Sequence, residues 1–351
     1  MTLTEFYNGK YVLITGHTGF MGAWLTHLLK GFGAHVTGYA LLPPTSPSLY
    51  EIARVGEGMT SVTGDVRDSD HLAAAFSGAQ PEIVFHLAAQ PLVRDSYQAP
   101  AYTYETNVIG TVQVLECIRQ SDSVRSFVNV TTDKVYQHFE SSRGYVENDP
   151  LCGYDPYSNS KSCAELVTAC YQNAFFNDGR VAISTARTGS VIGGGDFAKD
   201  RILPDYIRAA EKHTPILVRS PRAVSPYQHV LEPLFAYLLI AMRQYETGAI
   251  AGGYNIGPNR EDIMETGELT TFFCEAWGND ASWLARPDDG PCEGSTVRLD
   301  CTKIRDALGW QPVWNIRTAI QKTIEWEKAY RNGLDIRTVM DQQATEYQKS
   351  L

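Results

Sequence analysis

Long apolar runs are missing from this 351-residue sequence, and so is a leader-like beginning. No stretch of about 18 or more apolar residues occurs, which argues against a membrane-spanning helix. The opening residues, MTLTEFYNGKYVLITG, lack the charged, then apolar, then small-residue order of a signal peptide. With 43% hydrophobic and 20% charged residues, the chain can build a full core. We therefore expect a soluble, cytoplasmic protein with one large domain or two fused domains.

Paired cysteines are also missing. The seven cysteines are widely scattered and contain no C-x-x-C pair. This pattern argues against a disulfide framework and against a zinc site. We expect no metal site, and we expect most of the cysteines to be small buried hydrophobes.

Clusters of lysine and arginine are the third absence. The net charge is −10, and no basic patch can be seen along the chain. Nucleic acids and anionic membranes are both held through basic patches. We therefore expect neither of them as a partner, and any bound phosphate must be held by local groups.

Apolar runs typical of strands alternate with helical patterns in the first half of the chain. The strand-like runs are YVLITG (11–16), HVTGYAL (35–41), MTSVTGDV (59–66), EIVFHLAA (82–89), SFVNVTT (126–132) and VAISTARTGSVIG (181–193). Alternation with helices implies parallel strands with crossovers, and near-continuous apolar strands imply a sheet covered on both faces. The fold class is therefore α/β, with a Rossmann-type doubly wound parallel sheet.

The spacing loosens after about residue 190, where Gly- and Pro-rich segments such as GGGDFAKD and RSPRAVSPY separate the helices. We predict a Rossmann domain with the catalytic residues over 1–190. A smaller, mainly substrate-binding domain is predicted over 191–351, with some of this later chain returning to the sheet.

A glycine-rich turn, GHTGFMG (16–22), follows the first strand and opens a helix. Glycines permit a tight turn and let the backbone approach a pyrophosphate, whose charge is stabilised by the helix N-terminus. Such a turn alone is weak evidence, because ordinary strand-to-helix turns also contain glycine. Its position at the first strand, with GDVRD (64–68) and HLAAQ (86–90) after later strands, favours a dinucleotide site.

The second strand ends Tyr39-Ala40-Leu41, without the carboxylate that usually holds the adenosine ribose. No arginine is present there to hold a 2′-phosphate either. NAD is therefore the better prediction than NADP for the cofactor.

Tyr157 and Lys161 are four residues apart in YSNSK, and so share one face of a helix. A nearby cation lowers the pKa of a phenol and makes it usable as a base near neutral pH. Y-x-x-x-K alone also fits a routine surface contact. The order of the motifs decides between these interpretations.

The glycine-rich turn, Thr132 at the end of the fifth strand and the later Y-x-x-x-K together resemble the extended short-chain dehydrogenase/reductases. In that family the Tyr, the Lys and the strand-end Ser/Thr move a proton while the nicotinamide takes a hydride. By this resemblance Asn107 is the active-site Asn, and Asp65 is the acid that binds adenine.

Longer strings, among them AAQPLVR, GYDPYSNSK, VIGGGD and QHVLEPL, resemble the sugar-nucleotide 4,6-dehydratases, most closely the CDP-glucose branch. In these enzymes a triplet after the fifth strand carries out the elimination, and Thr132, Asp133 and Lys134 occupy its positions. A charged pair is costly at the end of a buried strand, which favours a catalytic function.

The resemblance implies a mechanism in which Tyr157 takes the proton of the sugar O4 while C4 gives a hydride to NAD⁺. The ketone acidifies C5–H, and Asp133 protonates the departing C6 hydroxyl. Lys134 is the base at C5 if its pKa is strongly lowered. Otherwise it orients the cofactor or the substrate, and both roles remain open.

The resemblance also assigns the remaining ligand contacts. Expected cofactor-binding residues are Gly16, His17, Gly19, Phe20, Met21, Gly22, Asp65, Val66, Leu87, Ala88, Ala89, Asn107, Tyr157 and Lys161. Expected substrate-binding residues are Gln90, Arg94, Arg187, Ser190, Lys199, Arg219, Ser225 and His229. A homodimer is expected on the same ground.

Several positions depart from the dehydratase pattern. Met21 replaces a lysine, Ser190 an asparagine and Ser225 an arginine, and His138–Ser141 replaces the sequence NREW. The asparagine and the arginine typically bind the diphosphate of the substrate, and a serine hydroxyl is a poor substitute for a guanidinium.

The serines allow two hypotheses about the small-molecule substrate. One is a CDP-glucose 4,6-dehydratase whose diphosphate is held by Arg219 or Arg222. The other, slightly favoured, is a dehydratase for a substrate without a diphosphate, such as a hexose nucleoside; return of the hydride to C4 would then leave a 5,6-alkene.

Two further functions use parts of the same machinery. A sugar epimerase or 4-ketoreductase would need Tyr157 and Lys161 but not Asp133. A sensor that binds the dinucleotide without turnover typically lacks the Tyr or the Lys, and both are present here.

Overall fold

The computed structural model describes residues 1–138, 143–278, 280–286 and 298–351. The segment His138–Ser141 departs from the dehydratase pattern, and its residues 139–141 lie outside the described ranges. Among the described residues, no helix is both long and apolar enough to cross a lipid bilayer.

The strands are named in chain order. They are β1 Tyr11–Thr15, β2 His35–Ala40, β3 Thr60–Thr63, β4 Ile83–His86, β5 Ser126–Thr132, β6 Ala182–Thr188, β7 Val191–Ile192, β8 Ile216–Val218, β9 Val224–Ser225, β10 Gln228–His229, β11 Gly253–Ile256, β12 Met264–Glu265 and β13 Trp283–Ala285.

The helices are named in the same way. They are α1 Leu3–Tyr7, α2 Phe20–Gly31, α3 Leu49–Ile52, α4 Ser69–Ala79, α5 Val93–Gln98, α6 Pro100–Tyr104, α7 Gly110–Gln120, α8 Pro156–Phe175, α9 Ile202–Glu211, α10 Leu231–Glu246, α11 Thr266–Trp277, α12 Thr302–Leu308, α13 Ile316–Arg331 and α14 Ile336–Ser350. A π-helical turn, Glu105–Ile109, joins α6 to α7, and 3₁₀ turns occupy Asp133–Val135, Gly248–Ile250 and Arg260–Asp262.

Seven parallel strands form the central sheet, in the order β11-β6-β5-β4-β1-β2-β3. The order reverses between β4 and β1, and ligands of open α/β sheets bind at the carboxyl ends of the strands beside such a switch. The predicted Rossmann-type sheet is therefore present. The edge strand β11 comes from residues 253–256, so the chain does return to the sheet after β7.

Alternate side chains of the strands point to opposite faces of this sheet. Val12, Ile14 and Val128 face a core shared with α2 and α10. Leu13 and Phe127 face a second core with α4 and α7. Both faces are covered, which explains why the strands are almost continuously apolar.

The later chain builds a smaller core of its own. Side chains of α9, β8, α11 and α13 pack together there, including Tyr206, Phe273 and Ile320. The segments β7, β9 and β10 run between this core and the sheet, and β7 pairs with β10. They therefore border the carboxyl ends of the strands.

Candidate active site

The glycine-rich turn lies at the end of β1, against the loop that follows β4. Gly16 has a φ of +81°, and a Cβ atom there would lie 2.7 Å from the backbone nitrogen of Ala88. A Cβ atom at Gly22 would lie 2.1 Å from the carbonyl oxygen of Gly16. Only glycine fits either position, and Gly19 precedes the first turn of α2. The backbone thus carries no side chains at Gly16 and Gly22, where a pyrophosphate would approach the helix N-terminus.

Leu87, Ala88 and Ala89 form the opposite wall of this crevice. They follow β4 directly and are half-buried, whereas the strand residues before them are buried. The structure thus brings the predicted turn and the predicted loop together, and their shape fits a dinucleotide.

The side chains of three predicted cofactor residues have other surroundings. The His17 ring is buried against β2, where a Cβ atom at Gly38 would lie 2.3 Å from its Cγ. Its Nε2 bonds the Ser61 hydroxyl at 2.7 Å, and burial lowers the pKa of His17 to about 4. The ring therefore packs beneath the glycine-rich turn, and the contact of His17 with the cofactor stays a prediction. Phe20 and Met21 pack against the core.

The predicted adenine end of the crevice is formed by the residues after β3. Asp65 accepts hydrogen bonds from Arg67 at 2.7 to 3.1 Å, and these bonds hold the pKa of Asp65 below its usual value. Val66 is buried against Gly110. At the end of β2 the Thr18 hydroxyl donates to the carbonyl of Leu41 at 2.8 Å.

The helix α8 carries Tyr157 and Lys161. Asp155 caps it by accepting from the Ser158 N–H at 3.0 Å, and Pro156 fills the first position. The Lys161 ammonium is 5% exposed and donates to the carbonyl of Val130 at 3.0 Å. Burial lowers the pKa of Lys161 to about 8.

Burial is also the dominant influence on Tyr157, and it raises the pKa of the phenol. The effects that oppose this rise come from Lys134, from a hydrogen bond with Thr132 and from Arg201. The sequence had predicted a lowered pKa through Lys161. That prediction is wrong in direction, because desolvation outweighs the nearby charges.

The triplet Thr132–Lys134 leaves β5 in a single 3₁₀ turn. Asp133 is 4% exposed, and its Oδ1 accepts a hydrogen bond from the Thr132 hydroxyl at 3.0 Å. Burial raises the pKa of Asp133, and the charge of Lys134 opposes the rise. Since both residues influence the pKa of Tyr157, the acid, the ammonium and the phenol form one electrostatic cluster.

This cluster lies beside the first segment of the later chain. A Cβ atom at Gly189 would lie 3.3 Å from Oδ2 of Asp133 and 2.6 Å from Cγ of Pro226. The half-buried Ser190 and Ser225 flank these two contact residues. The two unusual serines thus adjoin this electrostatic cluster.

A sequence model of the GDP-mannose 4,6 dehydratase family matches residues 13–323 of this chain. A curated relative, the CDP-glucose 4,6-dehydratase of Salmonella typhimurium, is 45% identical over 349 residues, which are 98% of this chain and 97% of that protein. The chain belongs to the GDP-mannose 4,6 dehydratase family. Its resemblance to the extended short-chain dehydrogenase/reductases is thereby confirmed.

Two solved structures show the same fold at lower identity. The epimerase Mth375 of Methanothermobacter thermautotrophicus has a TM-score of 0.81 at 23% identity, over 96% of each chain. The dTDP-glucose 4,6-dehydratase of Bacillus anthracis, solved in complex with NAD, has a TM-score of 0.77 at 19% identity, over 94% of this chain and 100% of that one.

Arg187, a predicted substrate contact, is held by buried groups of the protein itself. It is buried on β6, where its guanidinium pairs with Glu165 of α8 at 2.8 Å and donates to the Tyr136 hydroxyl at 2.9 Å. A further bond goes to the carbonyl of Glu147 at 2.8 Å. A buried ion pair thus occupies the side chain, and its contact with the substrate stays a prediction.

His229 is a core residue as well. It is buried, with ring centroids 6.4 Å from Trp24 and 4.9 Å from Trp314. Burial lowers the pKa of His229 to about 3. Aromatic side chains thus lie against the ring, and the contact of His229 with the substrate stays a prediction.

The other predicted substrate residues lie around the crevice. Gln90 is buried and bonds Asn107, while Arg94 is half-buried on α5. Lys199 is 71% exposed and lies 3.7 Å from Asp95. Arg219 lies 3.3 Å from Asp200, so an acid already offsets much of its charge.

Arg201 and Glu165 are the residues that sequence reasoning missed. Arg201 lowers the pKa of Tyr157 and pairs with Asp196 at 3.4 Å. It lies two positions after the predicted Lys199. Glu165 lies one helical turn after Lys161, and a carboxylate at that spacing was the available signal.

Proposed function

We propose that this chain is an NAD-dependent nucleotide-sugar 4,6-dehydratase, a carbon–oxygen lyase, and that CDP-glucose is its substrate. The observation that carries the proposal is the buried Asp133 beside Tyr157 at the end of β5. An epimerase needs the phenol but has no use for a buried acid next to it. The 45% identity to a CDP-glucose 4,6-dehydratase supports the choice of nucleotide.

The crevice fits NAD through features of its own backbone. Gly16 and Gly22 leave the space in which a pyrophosphate would lie, and Asp65 lies at the adenine end. Bound NAD⁺ would supply the hydride acceptor for C4 and the hydride donor for C6. NAD is preferred to NADP because Arg67, the cation after β3, is already paired with Asp65 and Glu105.

The residues of the cluster divide the proton transfers among them. Tyr157 takes the proton of the O4 hydroxyl, with Lys134, Thr132 and Arg201 favouring its anion. Burial raises the pKa of Asp133, which favours its protonated form, and Asp133 gives this proton to the departing C6 hydroxyl. One water leaves as C5 loses its proton, which gives a 4-keto-5,6-ene. Addition of the hydride at C6 and of a proton at C5 would then give a 4-keto-6-deoxy sugar nucleotide.

The alternative substrate, a hexose nucleoside, receives no support from the two 4,6-dehydratases described above, whose names specify the nucleotide sugars CDP-glucose and dTDP-glucose. Ser190 and Ser225 remain the only observation in its favour among the described residues, because neither can replace a guanidinium fork.

The test is incubation with NAD⁺ and, separately, CDP-glucose, dTDP-glucose and a panel of hexose nucleosides, followed by mass spectrometry. CDP-glucose labelled with deuterium at C4 should lose one water and carry the label at C6. If only a nucleoside loses water, then the substrate is that nucleoside and not CDP-glucose. Deuterium that remains at C4 after water loss would indicate a 5,6-alkene product. Inversion at C4 without water loss would indicate an epimerase, and NAD binding without turnover a sensor.

We further propose that two copies of this chain form a homodimer through the outer face of α8. Leu166 is 56% exposed and Phe175 49%, and both lie on that helix, while Ile109 on the adjoining π-helical turn is 47% exposed. Light scattering should show a dimer for the wild type and a monomer for Leu166→Lys. A monomeric wild type would refute this proposal.

A further inference from the structure

His86 is a buried histidine on β4 that the catalytic scheme does not use. It is 1% exposed, and both ring nitrogens have hydroxyl partners. Nδ1 lies 2.6 Å from the Thr15 hydroxyl at the end of β1. Nε2 lies 3.2 Å from the Thr111 hydroxyl in the first turn of α7.

The neighbouring bonds determine how this ring is protonated. The Thr111 hydroxyl donates to the carbonyl of Asn107 at 2.7 Å, so it must accept from Nε2–H of His86. The Thr15 hydroxyl accepts from the Ala88 N–H at 3.2 Å, which leaves its own proton for Nδ1. His86 is thus neutral, with its proton on Nε2. Burial, helped by the charge of Lys161, lowers the pKa of His86 to about 3, in agreement.

The chain of hydrogen bonds continues from Asn107 to the catalytic helix. The Asn107 amide accepts from the Gln90 N–H at 2.8 Å and donates to the Gln90 carbonyl at 3.1 Å. It also donates to the Ser160 hydroxyl at 2.8 Å, which in turn donates to the carbonyl of Tyr157 at 2.6 Å. The π-helical turn that carries Asn107 is the kind of local distortion often found at functional sites.

We propose that His86 is a positioning residue, which fixes the position of the glycine-rich turn relative to the catalytic helix α8. On one side its partner Thr15 precedes Gly16 and holds the loop at Ala88. On the other side its partner Thr111 holds Asn107, and through it the first turn of α8. The inference rests on the proposed function, because this relative position matters only if the crevice and Tyr157 act on one substrate.

The chemistry of imidazole makes it suited to this place. A neutral ring presents one donor and one acceptor at its two ends, which is what the two hydroxyls require. Losing either bond leaves a buried polar group without its partner and invites a shift of the backbone. Displacements of about 1 Å at a reacting centre cost on the order of 100-fold in rate.

The chain offers a closely matched pair of threonines for the test. Thr111 and Thr168 are each 1% exposed, and each hydroxyl donates at 2.7 Å to the carbonyl four residues earlier. Each also accepts from a side chain of a neighbouring strand, His86 for Thr111 and Asn129, at 2.9 Å, for Thr168. Only Thr111 belongs to the chain that leads to Tyr157.

The experiment compares Thr111→Val with Thr168→Val in the full-length protein. Both should lower Tm by similar amounts. Thr111→Val alone should weaken NADH binding, followed by fluorescence titration, and lower kcat by about tenfold, with KM for CDP-glucose within about twofold of wild type. His86→Phe should do the same more strongly, and His86→Asn, which keeps a donor and an acceptor, should recover part of the loss.

Two results would overturn the inference. One is a Thr111→Val protein that is destabilised but has wild-type NADH affinity and kcat. The other is an equal loss of kcat in Thr168→Val. A wild type that binds no NADH would instead refute the proposed function, so the two failures can be told apart.

Discussion

At the scale of single residues, the buried position of Asp133 determines the pKa of its carboxyl group. Water cannot screen its carboxylate at the end of a buried strand, so burial raises the pKa of Asp133. An acid with a raised pKa holds its proton at higher pH than an exposed aspartate does. The rate of water loss should therefore fall as pH rises through the pKa of Asp133.

Asp133→Asn should lower the rate of water loss by about 10²- to 10⁴-fold, because a general acid contributes that much. Oxidation at C4 should persist and appear as reduced nicotinamide absorbance without a dehydrated product in the mass spectrum. Asp341→Asn is the control, since Asp341 lies on α14 and pairs with His27 at 2.8 Å. Unchanged water loss in Asp133→Asn would contradict the dehydratase mechanism.

Lys134 tests which cation assists the phenol. Its charge opposes the raised pKa of Tyr157, so Lys134→Gln should move the acid limb of the rate of C4 oxidation to higher pH. Lys134→Arg keeps the charge and should return the acid limb of this pH–rate profile to its wild-type pH. If Lys134 is also the base at C5, Lys134→Arg will restore oxidation but not water loss, which decides between the two roles.

At the scale of elements, a buried ion pair ties α8 to the sheet. Glu165 accepts from Arg187 at 2.8 Å and from the Thr185 hydroxyl at 2.7 Å, and a further bond comes from Thr131. Since both charges are buried, removing one partner leaves the other uncompensated. This pair therefore holds the catalytic helix against β5 and β6.

Glu165→Gln should lower the free energy of unfolding by about 3 to 5 kcal/mol in a urea titration, because Arg187 would keep a buried charge. Glu116→Gln is the control, since Arg119 and Glu116 of the pair on α7 remain 42% and 29% exposed, and it should cost less than about 1 kcal/mol. Equal losses in the two variants would mean that burial adds nothing to the pair.

The same strands show what sequence could and could not predict. The sheet, the glycine turn and the positions of Thr132, Asp133 and Tyr157 follow from local patterns, and the structure brings these residues together. A motif does not say which face of a strand a side chain takes, so sequence could not predict the buried ion pair of Arg187. Its neighbour Thr188 points to Tyr237 of α10, whereas Arg187 points to α8. Sequence could not predict the burial of His229 because its neighbours, Trp24 and Trp314, are remote in sequence.

At the scale of the whole molecule, Glu232 of α10 connects the sheet to the C-terminal helices. Its carboxylate accepts from the N–H groups of Val313 and Trp314 and from the Tyr347 hydroxyl, at 2.6 to 3.2 Å. Burial outweighs these bonds and raises the pKa of Glu232 to about 7.

A raised folded-state pKa means that the native state binds the proton more tightly than the unfolded state. The contribution of Glu232 to stability is therefore complete below about pH 4.5, the ordinary value, and is lost as pH rises through about 7. The difference between the folded-state and the ordinary pKa of Glu232 corresponds to about 3 kcal/mol of folding free energy. In urea titrations at several pH values, Glu232→Gln should flatten the decline, and Glu246→Gln, at the exposed end of the same helix, should not.

The return of the chain to the sheet at β11 has a consequence for synthesis on the ribosome. A nascent chain ending near residue 190 would present β6 as a bare edge, and Val128, Val130 and Ala186 would lack their cover from α10. The catalytic half therefore cannot finish folding until residue 256 has left the exit tunnel. A fragment of residues 1–190 should be insoluble when expressed alone, whereas one that extends past β11 should recover solubility in part.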